Sequence, residues 1–127
     1  MTDSRSPIAR ARGLGAAREG TRHWLHQRLT GLANLVLVFW FASSVAALAG
    51  ADYTTVVWWI RDPVVSVLLL LLLASGFYHL SLGLRVVIED YVSGEGLKLL
   101  LIYAVAALSL LLALLGGLAV LKIALGG

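Results

Sequence analysis

Residues 64–88 read VVSVLLLLLLASGFYHLSLGLRVVI, and this apolar stretch decides the fold. A helix that crosses a bilayer needs about twenty consecutive, mostly apolar residues, so the stretch is long enough to cross one. Pro63 precedes it and suits the first turn of a helix. Asp90 and Tyr91 close it at the other end. The stretch therefore predicts a transmembrane helix over residues 64–89.

Two further apolar stretches complete the predicted fold. They cover residues 29–48 and 97–125, and the segment YVSGEG separates the last two stretches. The chain is 60% hydrophobic and only 13% charged, which is about half the charged share of a soluble domain. We therefore predict an all-α integral membrane protein, with three transmembrane helices in a domain over residues 25–127 and a tail over residues 1–24.

Basic residues are concentrated at the start of the chain. Six of the ten basic residues precede or open the first span: Arg5, Arg10, Arg12, Arg18, Arg22 and Arg28. An Arg-rich start is also typical of a targeting peptide, although Asp3 and Glu19 argue against that interpretation. The positive-inside rule instead predicts a cytoplasmic tail. Nothing else in the sequence supports nucleic-acid binding.

The connections between spans predict the orientation. Arg85 and Lys98 flank the second turn, whereas residues 50–63, which join the first two spans, have no basic excess. We expect the amino terminus and the second turn on the cytoplasmic side, and the carboxyl terminus on the opposite side. The first connection contains the aromatic residues predicted for that opposite interface: Tyr53, Trp58 and Trp59.

His79 lies inside the central stretch, where hydrocarbon provides no water to solvate an imidazole, so it is a functional-site candidate. Ser75, Gly76 and Gly83 lie on the same helix face and leave room for packing of a flat porphyrin. They equally suit the close approach of another helix. For His79 itself, a hydrogen bond to that helix is an alternative to metal binding. Because the chain has no cysteine, it cannot hold an iron–sulfur cluster by cysteine.

A six-coordinate haem iron needs two axial ligands, and only His79 is predicted at the required depth. We expect His23 and His26 at the cytoplasmic mouth of the first span, about 18 Å from the level of His79. One porphyrin iron cannot join ligands that far apart. If the chain binds haem, a partner chain must supply the second histidine, which predicts an oligomer.

The remaining polar residues of the spans have structural interpretations. Glu89 lies four residues after Arg85 and is its expected helical partner. Helix–helix hydrogen bonds or small contacts are expected of the uncharged polar residues of the first and third spans: Asn34, Ser43, Ser44 and Ser109.

Asp90 and Tyr91 form a second candidate site. The eleven residues from His79 to Asp90 turn through about 1100° of helix, so Asp90 returns to the face of the histidine about 16 Å away. We expect Arg28, Asp90 and Tyr91 to converge at the cytoplasmic interface. There a phenol can donate a hydrogen bond to a quinone carbonyl while the carboxylate orients it or relays protons. Alternatively, Tyr91 is an interfacial aromatic, Asp90 a solvated helix end and Arg28 a contact to lipid phosphate.

Two motifs resemble a known family. They are HWLHQRLTG at residues 23–31 and the pattern H-x₃-G-x₆-D-Y, formed by His79, Gly83, Asp90 and Tyr91. Both are similar to the small membrane-anchor protein of succinate dehydrogenase (respiratory Complex II) of the alphaproteobacterial type. The resemblance covers nearly the whole chain except its first twenty residues.

The resemblance implies roles for individual residues. His79 would be an axial ligand of a b-type haem iron shared with a second three-helix anchor protein in a heterodimeric helical bundle. Tyr91 would bind ubiquinone, with Asp90 in the same site. Arg28 would lie near a haem propionate or the quinone. A flavoprotein and an iron–sulfur protein would attach on the cytoplasmic side of the bacterial inner membrane.

The implied function is electron transfer from succinate oxidation to ubiquinone, which joins the tricarboxylic acid cycle to the respiratory chain. The chain would have no catalytic residue and no activity alone. Two alternatives remain: the anchor of a quinol:fumarate reductase, or a non-redox transporter or assembly protein in which His79 and Asp90 form a proton path. A reduced b-type absorption band would separate the redox functions from the non-redox one.

Overall fold

The computed structural model describes residues 7–8 and 17–127, with the backbone alone at residues 17–19. Over residues 17–127 the chain forms four helices: α1 (Ala17–Ala47), α2 (Tyr53–Arg61), α3 (Pro63–Tyr91) and α4 (Glu95–Ala124). Three segments are long and apolar enough to cross a membrane: Gly20–Ala47, Pro63–Tyr91 and Glu95–Ala124. The predicted all-α fold with three spans is therefore confirmed.

The first helix begins earlier than predicted. α1 starts at Ala17, so residues 17–24 are helical rather than part of an extended tail. Arg5, Arg10 and Arg12 of the predicted tail lie outside the described residues. The difference arises because the span was predicted from its apolar residues, whereas polar residues extend the helix by about three turns before the first apolar run.

The central helix is α3, and its ends follow from local sequence. The Asp62 carboxylate accepts hydrogen bonds from the backbone N–H groups of Val64 (2.9 Å) and Val65 (3.2 Å), with Pro63 at the first helical position. This arrangement satisfies two of the donors that a helix start leaves unpaired. Both α1 and α4 pack on α3, and across residues 17–127 no Cα atom of α1 lies within 8 Å of a Cα atom of α4.

The interface between α3 and α4 is apolar and close. A side chain at Gly116 would place its Cβ 3.1 Å from Leu73, and one at Gly117 would lie 3.5 Å from Leu70. The glycines therefore allow leucines of α3 to pack against the backbone of α4, as small residues do between membrane helices.

Most of the apolar surface is not covered by the chain itself. Phe39 is 76% exposed and Leu35 is 70% exposed. The residues that are buried within the described chain are few: Ser66, Leu69, Leu82 and Ser109. Lipid or other chains must therefore cover what would otherwise be a large exposed apolar area.

The short helix α2 was not predicted; its residues were interpreted only as an interfacial connection. Asp52 caps it by accepting a hydrogen bond from the Thr55 N–H at 2.9 Å. The Trp59 ring stacks on Trp40 of α1 with centroids 6.0 Å apart, and the Arg61 Nε–H donates to the Ile123 carbonyl of α4 at 3.2 Å. Thus α2 joins both outer helices at one end of the molecule.

Candidate cofactor-binding site

Polar side chains line the face of α1 that packs against α3. They recur at helical spacing (i, i+4, i+7, i+11) and are half-buried, unlike most of their neighbours: His23, Gln27, Thr30 and Asn34. We call these four residues, together with Ser75 and His79 of α3, the polar seam. Since hydrocarbon cannot satisfy polar groups, the side chains of the seam must find partners in protein or bound water.

His79 packs against α1 by one edge of its ring. Its Nδ1 lies 3.1 Å from the Thr30 hydroxyl oxygen. A Cβ added at Gly31 would lie 3.4 Å from the ring carbon Cε1, so the absence of a side chain there lets the imidazole rest on α1. The other ring nitrogen, Nε2, has no hydrogen-bond partner in the described chain and is not enclosed by it. The histidine therefore presents Nε2 to whatever lies beside the helix pair.

The small residues near His79 contact α1. Gly76 faces the Asn34 side-chain oxygen and Gly83 faces the Gln27 side-chain nitrogen, each at 4.0 Å from an added Cβ. The Asn34 amide donates to the Ser75 carbonyl at 3.3 Å. The structure therefore shows the close approach of another helix at these small residues, which was one of the two interpretations. The role of Gly83 in haem packing stays a prediction.

The predicted depth of His26 is wrong. Its Nδ1 lies 3.2 Å from the Tyr78 hydroxyl, and Tyr78 is the neighbour of His79. His26 is also one helical turn, about 6 Å, from Thr30, which contacts His79. The predicted separation of about 18 Å assumed that the first span starts near Leu29, whereas α1 is helical from Ala17 and Gln27 already lies beside Gly83 of α3. The source of a second axial ligand stays a prediction.

Several atoms of the seam have unmet hydrogen-bonding capacity. In the part of the chain that the structure describes, four buried side-chain atoms lack a partner: His23 Nε2, Gln27 Oε1, Asn34 Oδ1 and Ser75 Oγ. Buried polar atoms are almost always hydrogen-bonded, so these require water or another chain. The seam is therefore a polar site that this chain alone leaves incomplete.

Asp90 and Tyr91 lie exposed at the end of α3, and Tyr91 is 85% exposed. The guanidinium of Arg28 lies over the Trp24 ring, 5.1 Å from its centroid. Arg28 and Asp90 form no ion pair in the described structure, and the convergence of Arg28, Asp90 and Tyr91 stays a prediction. The predicted pair of Arg85 with Glu89 is confirmed, with Nε and Oε1 2.8 Å apart.

The other polar residues of the spans differ in their roles. Asn34 bonds across to α3, as predicted. Ser43 and Ser44 instead donate within α1, to the carbonyls of Phe39 and Trp40, each at 2.8 Å. Such bonds satisfy a hydroxyl inside a helix without any partner helix.

A groove of about 840 Å³ lies between α3 and α4 on the side that α1 leaves open. Tyr78, Ser81 and Ser109 supply its polar groups, and leucine and alanine side chains line most of the rest. Neither Asp90 nor Tyr91 lines it. A quinone held by those two residues would therefore occupy a different place, completed by other chains.

The side chains of residues 20–127 contain no cluster of three or more histidine, cysteine, aspartate or glutamate residues able to hold a metal ion. A single accessible nitrogen, such as His79 Nε2, still suffices for a metal whose remaining ligands come from elsewhere.

Comparison with known proteins gives a consistent result. The sequence matches the family described as the succinate dehydrogenase/fumarate reductase transmembrane subunit over residues 2–116. It is 35% identical over 109 residues to a succinate dehydrogenase hydrophobic membrane anchor subunit of Rickettsia bellii, covering 86% of this chain and 87% of that protein. The equally named protein of Paracoccus denitrificans is 30% identical over 100 residues, covering 79% of this chain and 78% of the relative.

Proposed function

The chain belongs to the succinate dehydrogenase/fumarate reductase transmembrane-subunit family as a multi-pass membrane anchor, and we propose that it binds haem b and quinone for a succinate:ubiquinone oxidoreductase. The observation that carries the haem proposal is the orientation of His79, whose Nδ1 edge rests on α1 while Nε2 has no partner in the described chain and is not enclosed by it. Succinate oxidation is proposed over fumarate reduction because the two relatives from Rickettsia bellii and Paracoccus denitrificans are named for succinate dehydrogenase.

The residues present fit a haem that is shared with another chain. His79 Nε2 has no partner in the described chain and would bind the haem iron, with a histidine of another chain as a further ligand. When bound, haem supplies a one-electron carrier. Thr30 and Gly31 position the imidazole, and the apolar helices around it exclude water. The second three-helix anchor protein of the complex is the proposed source of the other histidine.

The quinone site is proposed at the junction with the other proteins of the complex. Tyr91 and Asp90 are exposed at the end of α3, where the phenol can donate a hydrogen bond to a quinone carbonyl and the carboxylate can accept one from its reduced form. Arg28 is a further proposed contact, for a haem propionate or for the quinone. The proposed orientation places this end, and the flavoprotein and iron–sulfur protein, on the cytoplasmic side.

The haem proposal is tested on the whole purified complex. We expect His79→Ala to abolish the reduced b-type absorption band, because an axial nitrogen is lost. His26→Ala is the matched control, since His26 lies in the same helix pair and contacts Tyr78; it should retain the band. Co-purification of the partner proteins shows that each variant assembles. A colourless wild-type complex, or an unchanged band in assembled His79→Ala, would overturn the proposal and favour a non-redox role.

The quinone proposal needs a separate variant. Tyr91→Phe removes one hydroxyl from an exposed position, so assembly should be unaffected. Loss of one hydrogen bond to the quinone should lower quinone reduction about tenfold, whereas succinate oxidation with an artificial electron acceptor should be unchanged. Tyr103→Phe, another exposed tyrosine at 71%, is the control. Unchanged quinone turnover in Tyr91→Phe would leave Tyr91 as an interfacial aromatic only.

A further inference from the structure

We propose that Thr30 is a positioning residue for His79: its hydroxyl oxygen accepts the Nδ1–H of the imidazole and thereby leaves the Nε2 lone pair free for a metal. The effect of Thr30 on a metal rests on the proposed haem function. The contact between Thr30 and His79 does not, because it is part of the packing of α1 on α3. Thr30 of α1 would thereby determine which ring nitrogen of His79 in α3 is protonated.

The Thr30 hydroxyl has a single hydrogen to donate. The hydroxyl oxygen lies 2.7 Å from the His26 carbonyl oxygen and 3.2 Å from the Gln27 carbonyl oxygen. Carbonyl oxygens only accept hydrogen bonds, so at 2.7 Å the hydroxyl hydrogen must point at the carbonyl. Otherwise two oxygens would face each other with no hydrogen between them.

The contact between Thr30 and His79 must therefore run in the other direction. With its hydrogen already donated, the Thr30 oxygen can only accept, and the 3.1 Å contact to Nδ1 requires a hydrogen on that nitrogen. A histidine binds a metal in its neutral form, which carries one ring hydrogen, so in that form Nε2 is the unprotonated nitrogen. That nitrogen is the one left without a partner and not enclosed by the described chain.

The arrangement is held rigidly. Threonine in a helix has few side-chain rotamers, and donation to the carbonyl four residues earlier fixes one of them. Both carbonyls involved belong to the backbone of α1, so no other side chain needs to move into place. Gly31 lets the ring edge rest beside Thr30. Hydrogen bonding of the distal ring nitrogen is the usual means of orienting a metal-binding histidine and making it more basic.

This geometry has a measurable electronic consequence. An imidazole that donates Nδ1–H to an oxygen gives more electron density to the metal at Nε2, which stabilises oxidised iron relative to reduced iron. Removing the acceptor weakens that donation. In Thr30→Val, which keeps the shape and removes the hydroxyl, we expect the ratio of reduced to oxidised haem at a fixed potential to rise about threefold to tenfold, where tenfold corresponds to about 59 mV.

The experiment compares three variants of the purified complex by redox titration of the b-type band. Thr30→Val should show the upward shift, and Thr30→Ser, which retains the hydroxyl, should restore the wild-type value. Ser44→Ala is the matched control, because Ser44 makes the same bond to a carbonyl four residues earlier in α1. An unchanged potential in assembled Thr30→Val, or a shift of the same size in Ser44→Ala, would overturn the role of Thr30.

A second measurement does not depend on haem. Nitrogen-15 NMR of the histidine-labelled wild-type complex distinguishes the two tautomers, and loss of one signal in His79→Ala assigns it. We expect His79 to carry its hydrogen on Nδ1, whereas a hydrogen on Nε2 would overturn the inference. If the complex contains no haem, the proposed function fails while this tautomer still decides the inference about Thr30.

Discussion

The two faces of α3 pack against their neighbouring helices in different ways. Towards α1 the contacts are polar: Thr30 to His79 and Asn34 to the Ser75 backbone. Towards α4 the contacts are apolar, with leucines of α3 against Gly116 and Gly117. In lipid, association depends on close van der Waals packing, and interhelical hydrogen bonds contribute only modestly. The comparison indicates that the α4 side holds the fold together and that the α1 side holds the site.

The largest effect is expected from disrupting the apolar side. Gly116→Leu places a side chain where even a Cβ lies 3.1 Å from Leu73, so α4 must move away from α3. Overpacking of this kind should destabilise the complex by about 1–3 kcal/mol. Thermal unfolding of the detergent-solubilised complex measures it. Gly96→Leu is the control in the same helix, since nothing lies within 4 Å of its added Cβ. Equal stability of the two variants would contradict the comparison.

A smaller effect is expected from the polar side. Asn34→Leu removes the hydrogen bond to the Ser75 carbonyl and should cost about 1 kcal/mol, as interhelical hydrogen bonds in membranes do. Ser43→Ala should have no such effect on helix association, because its hydroxyl bonds only within α1. Equilibrium unfolding in detergent compares the stabilities of the two variants. Destabilisation by Asn34→Leu as large as that by Gly116→Leu would show that the seam also holds the fold together.

The smallest expected effect concerns α2, which belongs to neither the α1–α3 nor the α3–α4 interface. Hydrogen bonds from the Thr55 side chain and backbone hold the pKa of the Asp52 carboxyl below its ordinary value of 3.8. The ionised cap therefore stabilises the start of α2 above that value, and the contribution is lost as the pH falls through the folded-state pKa. Hydrogen exchange at the Thr55 amide should accelerate in acid relative to its intrinsic rate. Asp52→Asn should remove this pH dependence, and its persistence in that variant would exclude Asp52 as the cause.

Much of this fold was predictable because lipid imposes simple requirements. The apolar run at residues 64–88 located α3 to within a few residues, and the spacing of Arg85 and Glu89 gave their ion pair. The haem and quinone roles of His79 and Tyr91 stay predictions. What these residues contact depends on chains that a single sequence does not contain.

Other features were missed for physical reasons. The stripe of His23, Gln27, Thr30 and Asn34 was present in the sequence, but polar residues were interpreted one at a time rather than as one helix face. The depth of His26 was misjudged because a polar helical turn before a span does not show in hydrophobicity. For α2, Asp52 as a helix cap and half-buried Val56, Trp59 and Ile60 at helical spacing were the available signals.

The contacts of α2 link the two outer helices at one end of the molecule. Within residues 17–127 no Cα atoms of α1 and α4 lie within 8 Å of each other, yet Trp59 and Arg61 connect the two helices at one end. The two outer helices are therefore linked through α2 at one end of the molecule. Separating α1 from α4 at this end, opposite Asp90 and Tyr91, would therefore break the ring stack or the hydrogen bond that α2 provides.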